Sequence, residues 1–241
     1  MVKNRKLYTA FYIFAAAGMM MSCGLQMDAR SEYWEQKVSL FDKLPVHEND
    51  IIFLGNSITD GGEWQELFQM ENVKNRGISS DVIDGVQARL EQVTSGHPQK
   101  IFLLIGINDV SHHLGVEKIA AKYEKLVKEI RRRTPDTRLY IQSIMPINND
   151  FARYKNLKGE EKTVTELNKR IKKIAERNGA EYIDLWPALA DASGKLKREY
   201  TNDGLHLTGD GYKAWIKLIG PIVLEGSERI PLNEKNKERT K

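Results

Sequence analysis

Five short segments with the length and β-branched or aromatic content of strands recur along this chain, at residues 51–54, 73–78, 101–105, 139–145 and 181–185. Between them lie longer stretches whose apolar residues return every three or four positions, the period of a half-buried helix. Residues 116–133 are the clearest case, with Ile119, Tyr123, Leu126, Val127 and Ile130 on one face. Strands alternating with helices pair in parallel, because each crossover needs a dozen or more residues, and the helices then cover both faces of the sheet. The spacing therefore predicts an α/β domain with a five-stranded parallel sheet. Further helices are expected over 32–44, with Trp34, Val38, Phe41 and Leu44 inward, over 82–94, capped by Asp81, over 161–177, closed by Asn178-Gly179, and over 209–224. A hydrophobic content of 41% over 241 residues suffices for one such domain.

The two ends read differently. Lys3, Arg5 and Lys6 precede an apolar run from Leu7 to Met21, which stops at Ser22-Cys23-Gly24. A basic start and an apolar stretch of that length describe an export signal rather than a membrane span. The expected organisation is a signal peptide over 1–22, a tether over 23–31, the α/β domain over 32–225 and a polar tail over 226–241. Removing 1–22 takes away three positive charges and no negative ones, so the formal charge falls from +4 to +1. Nothing is left to attract a nucleic acid. With Cys23 the only cysteine, no intrachain disulfide can form.

Candidate chemistry gathers where strands end. The run at 51–54 stops at Gly55-Asn56-Ser57 ahead of a helix, and an open parallel sheet binds ligands at that carboxyl edge. A lone Gly-x-Ser is more often a turn with a helix-capping serine, so partners decide the matter. Asn202-Asp203-Gly204-Leu205-His206 sets a carboxylate three residues from an imidazole, a base with an acid to orient it. The run at 101–105 leads into Gly106-Ile107-Asn108-Asp109, which presents an amide, and Asn75-Arg76-Gly77 offers a backbone N–H that can be approached closely. A nucleophile, a base and donors for a developing oxyanion are thus all available. Asp203 could equally be only a turn former, and Asp60, Asp109 and Asp184 stand as alternative acids.

Taken together, GNSIT at Ser57, NRGIS at Gly77, GIND at Asn108 and DGLHL at His206 resemble, in order and spacing, the four blocks of the SGNH hydrolases, or GDSL-type esterases. The resemblance covers residues 48–224, with Gly55-Asn56-Ser57 standing where the family's name has Gly-Asp-Ser. It implies a flavodoxin-like three-layer α/β/α sandwich, catalysis by Ser57, His206 and Asp203, and an oxyanion hole made by the N–H groups of Ser57 and Gly77 and the side chain of Asn108. It implies no cofactor and no metal. Members of this subtype are similar to carbohydrate acetylesterases and to acetylhydrolases related to platelet-activating-factor hydrolase. The implied substrate is a small acyl ester, foremost an acetylated sugar. A lysophospholipase or thioesterase of longer chains is the alternative enzyme, and a lipid-anchored glycan-binding protein the non-catalytic one. Ser22-Cys23-Gly24 also looks like a bacterial lipoprotein signal, which implies acylation of Cys23 and a place in the cell envelope.

Three other features carry less. Ser111-His112-His113 follows Asn108 in a loop that should line the pocket, but adjacent histidines without a further ligand make a poor metal site. Arg131-Arg132-Arg133 and Lys172-Lys173 read as solvated helix faces. Residues 146–159, with Asn148, Asn149, Phe151, Arg153 and Tyr154, form the longest irregular stretch and the expected wall of the substrate site.

Overall fold

The computed structural model describes residues 31–227. The signal, Cys23 and nearly all of the tether and tail lie outside the described residues. In chain order the elements are α1 (Glu32–Phe41), β1 (Ile51–Gly55), α2 (Ser57–Asp60), α3 (Trp64–Phe68), β2 (Val73–Gly77), α4 (Ile83–Ala88), α5 (Glu91–Thr94), β3 (Lys100–Leu104), α6 (Ile107–Ser111), α7 (Val116–Arg133), β4 (Arg138–Gln142), α8 (Glu161–Arg177), β5 (Glu181–Ile183), α9 (Trp186–Leu189) and α10 (Gly209–Leu224). All five strands pair in parallel, in the order β2-β1-β3-β4-β5.

Alternation along the strands sorts the core into two faces. Phe53 lies beside Phe102 and Phe102 beside Tyr140, so one face carries an aromatic ladder with ring centroids 5.0 and 4.6 Å apart. Trp64 of α3 stacks on Phe53 at 3.9 Å, and Trp215 of α10 meets Trp64 edge-on at 4.8 Å. Both indoles are fully buried and both N–H groups are satisfied, Trp64 by Thr59 O and Trp215 by Gln142 Oε1, which is what makes large polar-tipped rings tolerable in a core. The aliphatic residues Ile52, Leu54, Ile101, Leu103, Leu139 and Ile141 point to the opposite face, where α7 packs between α4 and α8.

The strand order reverses between β1 and β3. Consecutive connections leave the sheet there in opposite directions and open a crevice beyond the strand ends. Ser57 follows β1 and Asn108 follows β3, so both flank that crevice.

Helices 116–133, 161–177 and 209–224 have the expected bounds. Elsewhere the chain departs from its local pattern for visible reasons. The first helix stops at Phe41, so Leu44, expected inside, is 42% exposed. The helix expected over 82–94 breaks in two at Arg89, whose guanidinium is drawn inward to Asp81 and Gly55 O. Asp81 itself is not a helix cap. Its Oδ2 accepts from Arg89 at 2.8 Å, and its Oδ1 accepts from Trp34 Nε1 at 3.0 Å and from the neighbouring Val82 N–H. Nor is Arg131 a solvated cation: it donates to the carbonyls of Thr137, Asn178 and Gly179 and ties the ends of α7 and α8 to the sheet. Residues 146–159 contain two 3₁₀ turns, Asn149–Phe151 and Lys155–Leu157.

Candidate active site

Gly55 ends β1 where no side chain would fit: a Cβ there would lie 2.3 Å from Leu104 O and from Thr59 Oγ1. The chain can therefore turn tightly against β3 and start α2 at once. Asn56 caps that helix, its Oδ1 accepting the N–H of Ile58 at 3.1 Å. The capping role belongs to Asn56, which leaves the Ser57 hydroxyl free for another partner. As the first helical residue, Ser57 also has a backbone N–H with no intrahelical acceptor.

That partner is His206. Ser57 Oγ lies 2.8 Å from His206 Nε2, and His206 Nδ1 lies 2.7 Å from Asp203 Oδ2. With Nδ1–H donating to the carboxylate, Nε2 is bare and accepts the serine proton. The two readings of Asp203 are both realised, one on each oxygen. Oδ1 accepts the N–H groups of Leu205 and His206 and so forms the turn, while Oδ2 faces the imidazole. Burial alone would raise the Asp203 pKa, but these donors outweigh it and hold the group at about 2. The alternative acids are engaged elsewhere. Asp60 takes Lys37, Tyr33 and Ser79, Asp184 takes the N–H of Trp186, and Asp109 accepts from the N–H of Ile83.

A residue that sequence reasoning left in the pocket wall joins this pair. Tyr154 OH donates to Asp203 Oδ2 at 2.9 Å and lies 3.0 Å from His206 Nδ1, its ring edge-on to the imidazole. Burial, then the hydrogen bond and charge of Asp203, push its hydroxyl up to about 12. Nothing in the local pattern of an aperiodic loop could have singled it out.

Asn108 sits at the rim as expected. Its Nδ2 donates one hydrogen to Asp81 O at 2.8 Å, which fixes the amide plane, and a second hydrogen remains. Gly77 is a correction. Its N–H donates to Asn75 Oδ1 at 2.8 Å, and the residue is wedged under α2, where a Cβ would meet Asp60 N at 2.2 Å. It is a packing glycine, and the residues beyond it, Ser79 and Ser80, reach the cleft instead. Asp60 accepts from both the N–H and the hydroxyl of Ser79. Ser80 then adopts φ +66°, and its N–H has no acceptor among the described residues. A serine in that region is uncommon, and such conformations concentrate at functional sites.

Two cavities meet at these side chains. An open cleft of about 550 Å³ is lined by Ser57, Ser79, Ser80, Asn108, Ser111 and His206, with residues 153–157 and Leu205 across from them. Below it an apolar hollow of about 10 Å³ lies among Asn56, Ile58, Ile107, Ile144, Leu205 and their neighbours. Each of the first three and Leu205 adjoins Ser57, Asn108 or His206 in the chain. Ser111 thus lines the pocket, whereas His113 turns away to Glu160 at 3.0 Å.

The family model described as GDSL-like Lipase/Acylhydrolase matches residues 53–214. The human platelet-activating factor acetylhydrolase IB subunit alpha2 is 26% identical over 193 residues, 76% of this chain and 80% of that protein. A solved Streptococcus pneumonia structure is 29% identical, with TM-score 0.72 over 79% of this chain and 91% of the other. The acetylxylan esterase Axe2 from Geobacillus stearothermophilus, 21% identical, shares the fold with TM-score 0.58 over 73% of this chain and 95% of its own.

Proposed function

This chain belongs to the GDSL-like lipase/acylhydrolase family, hydrolases acting on ester bonds, and from that premise we propose that it is a serine esterase removing small acyl groups, foremost acetyl, from carbohydrates. The observation that carries the reading is the unbroken hydrogen-bonded series from Ser57 Oγ through His206 to Asp203. His206 Nε2 takes the proton as Ser57 Oγ attacks the acyl carbon, and Asp203 stabilises the imidazolium. The oxyanion is held by the N–H of Ser57, the N–H of Ser80 in place of Gly77, and the second hydrogen of Asn108 Nδ2. His206 returns its proton to the departing alcohol. Water, deprotonated by the same imidazole, then releases the acid and restores the serine.

Two features favour a small acyl group on a polar alcohol. The hollow beneath the nucleophile has room for about one water-sized group, which suits a methyl and no long chain. Five hydroxyls and two amides line the cleft above it, and they suit a sugar better than a lipid tail. Hydrolysis of p-nitrophenyl esters from acetyl to decanoyl, with Ser57→Ala alongside, tests this. Serine-dependent turnover falling steeply beyond butyryl is expected; turnover rising with chain length would favour the lysophospholipase or thioesterase reading. In the same proposal the export signal delivers the enzyme to the bacterial envelope and Cys23 carries its lipid anchor. Mass spectrometry of the mature N-terminal peptide should find diacylglyceryl-cysteine, and an unmodified Cys23 would refute the anchor.

A further inference from the structure

Between residues 31 and 227 there are ten arginines, and nine have a defined partner. Arg89, Arg132, Arg133, Arg138, Arg170 and Arg177 form ion pairs; Arg76 and Arg131 donate to backbone carbonyls and Arg198 lies over the Phe151 ring. Arg153 alone has no hydrogen bond, ion pair or ring contact among the described residues. It lines the same cleft as Ser57 and His206, next to Tyr154 in the chain.

An exposed arginine is ordinarily just solvated, and its charge is balanced by whatever acids lie near. Here the nearby acids turn their oxygens to other groups, though only Asp150 to a permanent cation. Asp150 pairs with Lys195 at 2.7 Å, Glu160 with His113 at 3.0 Å, and Glu161 accepts from Asn149 at 2.7 Å. Asp203 is committed to His206 and Tyr154. No aspartate or glutamate lines the cleft, while Lys155, also unpartnered, adds a second cation to it. Among the described residues the lining of the cleft therefore carries two cations and no acid, and neither cation pairs with the carboxylates around it. A cleft lined by one sign of charge concentrates ligands of the other.

Arg153 and Tyr154 also form a ridge between this cleft and a second hollow of about 370 Å³ bounded by Phe151, Asn202 and Asp203. The small acyl hollow is lined by Ile58, Ile107, Ile144 and their neighbours and includes neither Arg153 nor Tyr154. A group at Arg153 consequently belongs to the alcohol half of the ester, not to the acid half.

Resting on the esterase reading above, we propose that the alcohol portion of the substrate carries an oxyanionic group, a carboxylate or a phosphate, which Arg153 binds with Lys155 in support. A guanidinium fork matches either group in two parallel hydrogen bonds and cannot lose its charge. It selects an acidic sugar over its neutral counterpart.

Three esters that differ only at C6 test this: methyl 2,3,4-tri-O-acetylglucoside, the corresponding glucuronoside, and the glucoside 6-phosphate. Initial rates of acetate release are measured at low and high salt. One or both anionic esters should exceed the neutral one in kcat/KM by about tenfold at low ionic strength, and the ratio should shrink as salt screens the charge. The larger of the two ratios identifies the anion. Arg153→Met should bring the ratio towards one and Arg153→Glu below it, with melting temperature unchanged because the side chain is exposed. Equal rates on all three esters with the unmodified enzyme would overturn the anionic subsite and leave the esterase standing. Acetate release from none of them would overturn the esterase reading on which it rests.

Discussion

Two carboxylates in this molecule have nearly the same set of donors and opposite surroundings. Asp203 accepts from the His206 ring, from Tyr154 OH and from two backbone N–H groups. Asp81 accepts from the Arg89 guanidinium, from Trp34 Nε1 and from one backbone N–H. The side chains of Asp203 and its partner His206 are 20% and 34% exposed, whereas those of Asp81 and Arg89 are 1% and 0% exposed. Around Asp203, donors overcome desolvation and the pKa drops to about 2. Around Asp81, burial outweighs the pull of Arg89 and pushes the pKa up. One donor set serves two purposes: near water it tunes a base, and away from water it locks geometry. Asp81 performs the second task for the oxyanion side, since its carbonyl fixes Asn108 and its partner Arg89 donates to Gly55 O under the nucleophile.

The same substitution at both positions is the sharpest way to break this comparison. Asp203→Asn should cut kcat by about 10⁴, because the amide holds the wrong tautomer, with stability nearly unchanged. Asp81→Asn should do the reverse. It leaves a guanidinium buried with no counter-charge, which costs about 3–5 kcal/mol of stability, while the folded fraction keeps much of its turnover. Denaturant melts and active-site-titrated rates on the two variants separate these outcomes. If Asp203→Asn unfolded the protein while Asp81→Asn silenced a stably folded one, the assignment of roles would be inverted.

Asn108 lies between the two regions and should share in both. Asn108→Ala removes one oxyanion donor, for which a loss of about 10²–10³ in kcat is expected with KM little altered. It also leaves Asp81 O, on a buried residue, without this donor, which costs about 1–3 kcal/mol. Gly77→Ala gives the contrast, since its Cβ would press into Asp60 N and should cost stability before chemistry. A folded Gly77→Ala protein with a selective loss of kcat would return the donor role to Gly77.

What was legible in the sequence follows the same division. Ser57, Asn108, Asp203 and His206 stand at strand ends and in a glycine turn, where local chemistry and the alternation of elements already limit what a side chain can reach. The oxyanion donor from the β2 side was misplaced because a glycine's accessible N–H is a property of one residue, whereas whether it faces the cleft depends on Asn75 and Asp60 holding the chain beyond. Arg89 and Asp81 are paired across eight residues that read as one amphipathic helix, and only burial shows that the helix breaks to let them meet. Tyr154 belongs to a stretch without period, and its partners are 49 and 52 residues away.

Tyr154 also provides the finest test of how far donors tune the acid. Tyr154→Phe keeps the ring against His206 and removes only the hydroxyl that shares Asp203 Oδ2 with the imidazole. With that donor gone, the carboxylate carries more of its charge towards His206 and its own pKa rises from about 2, still far below neutrality. The effect on the triad stays within the roughly 1 kcal/mol that one such hydrogen bond is worth. The plateau rate should fall by about two- to fivefold, as the carboxylate loses one of the contacts that hold it in line. If instead Tyr154 merely packs against the imidazole, phenylalanine serves as well, and the rate stays where it was.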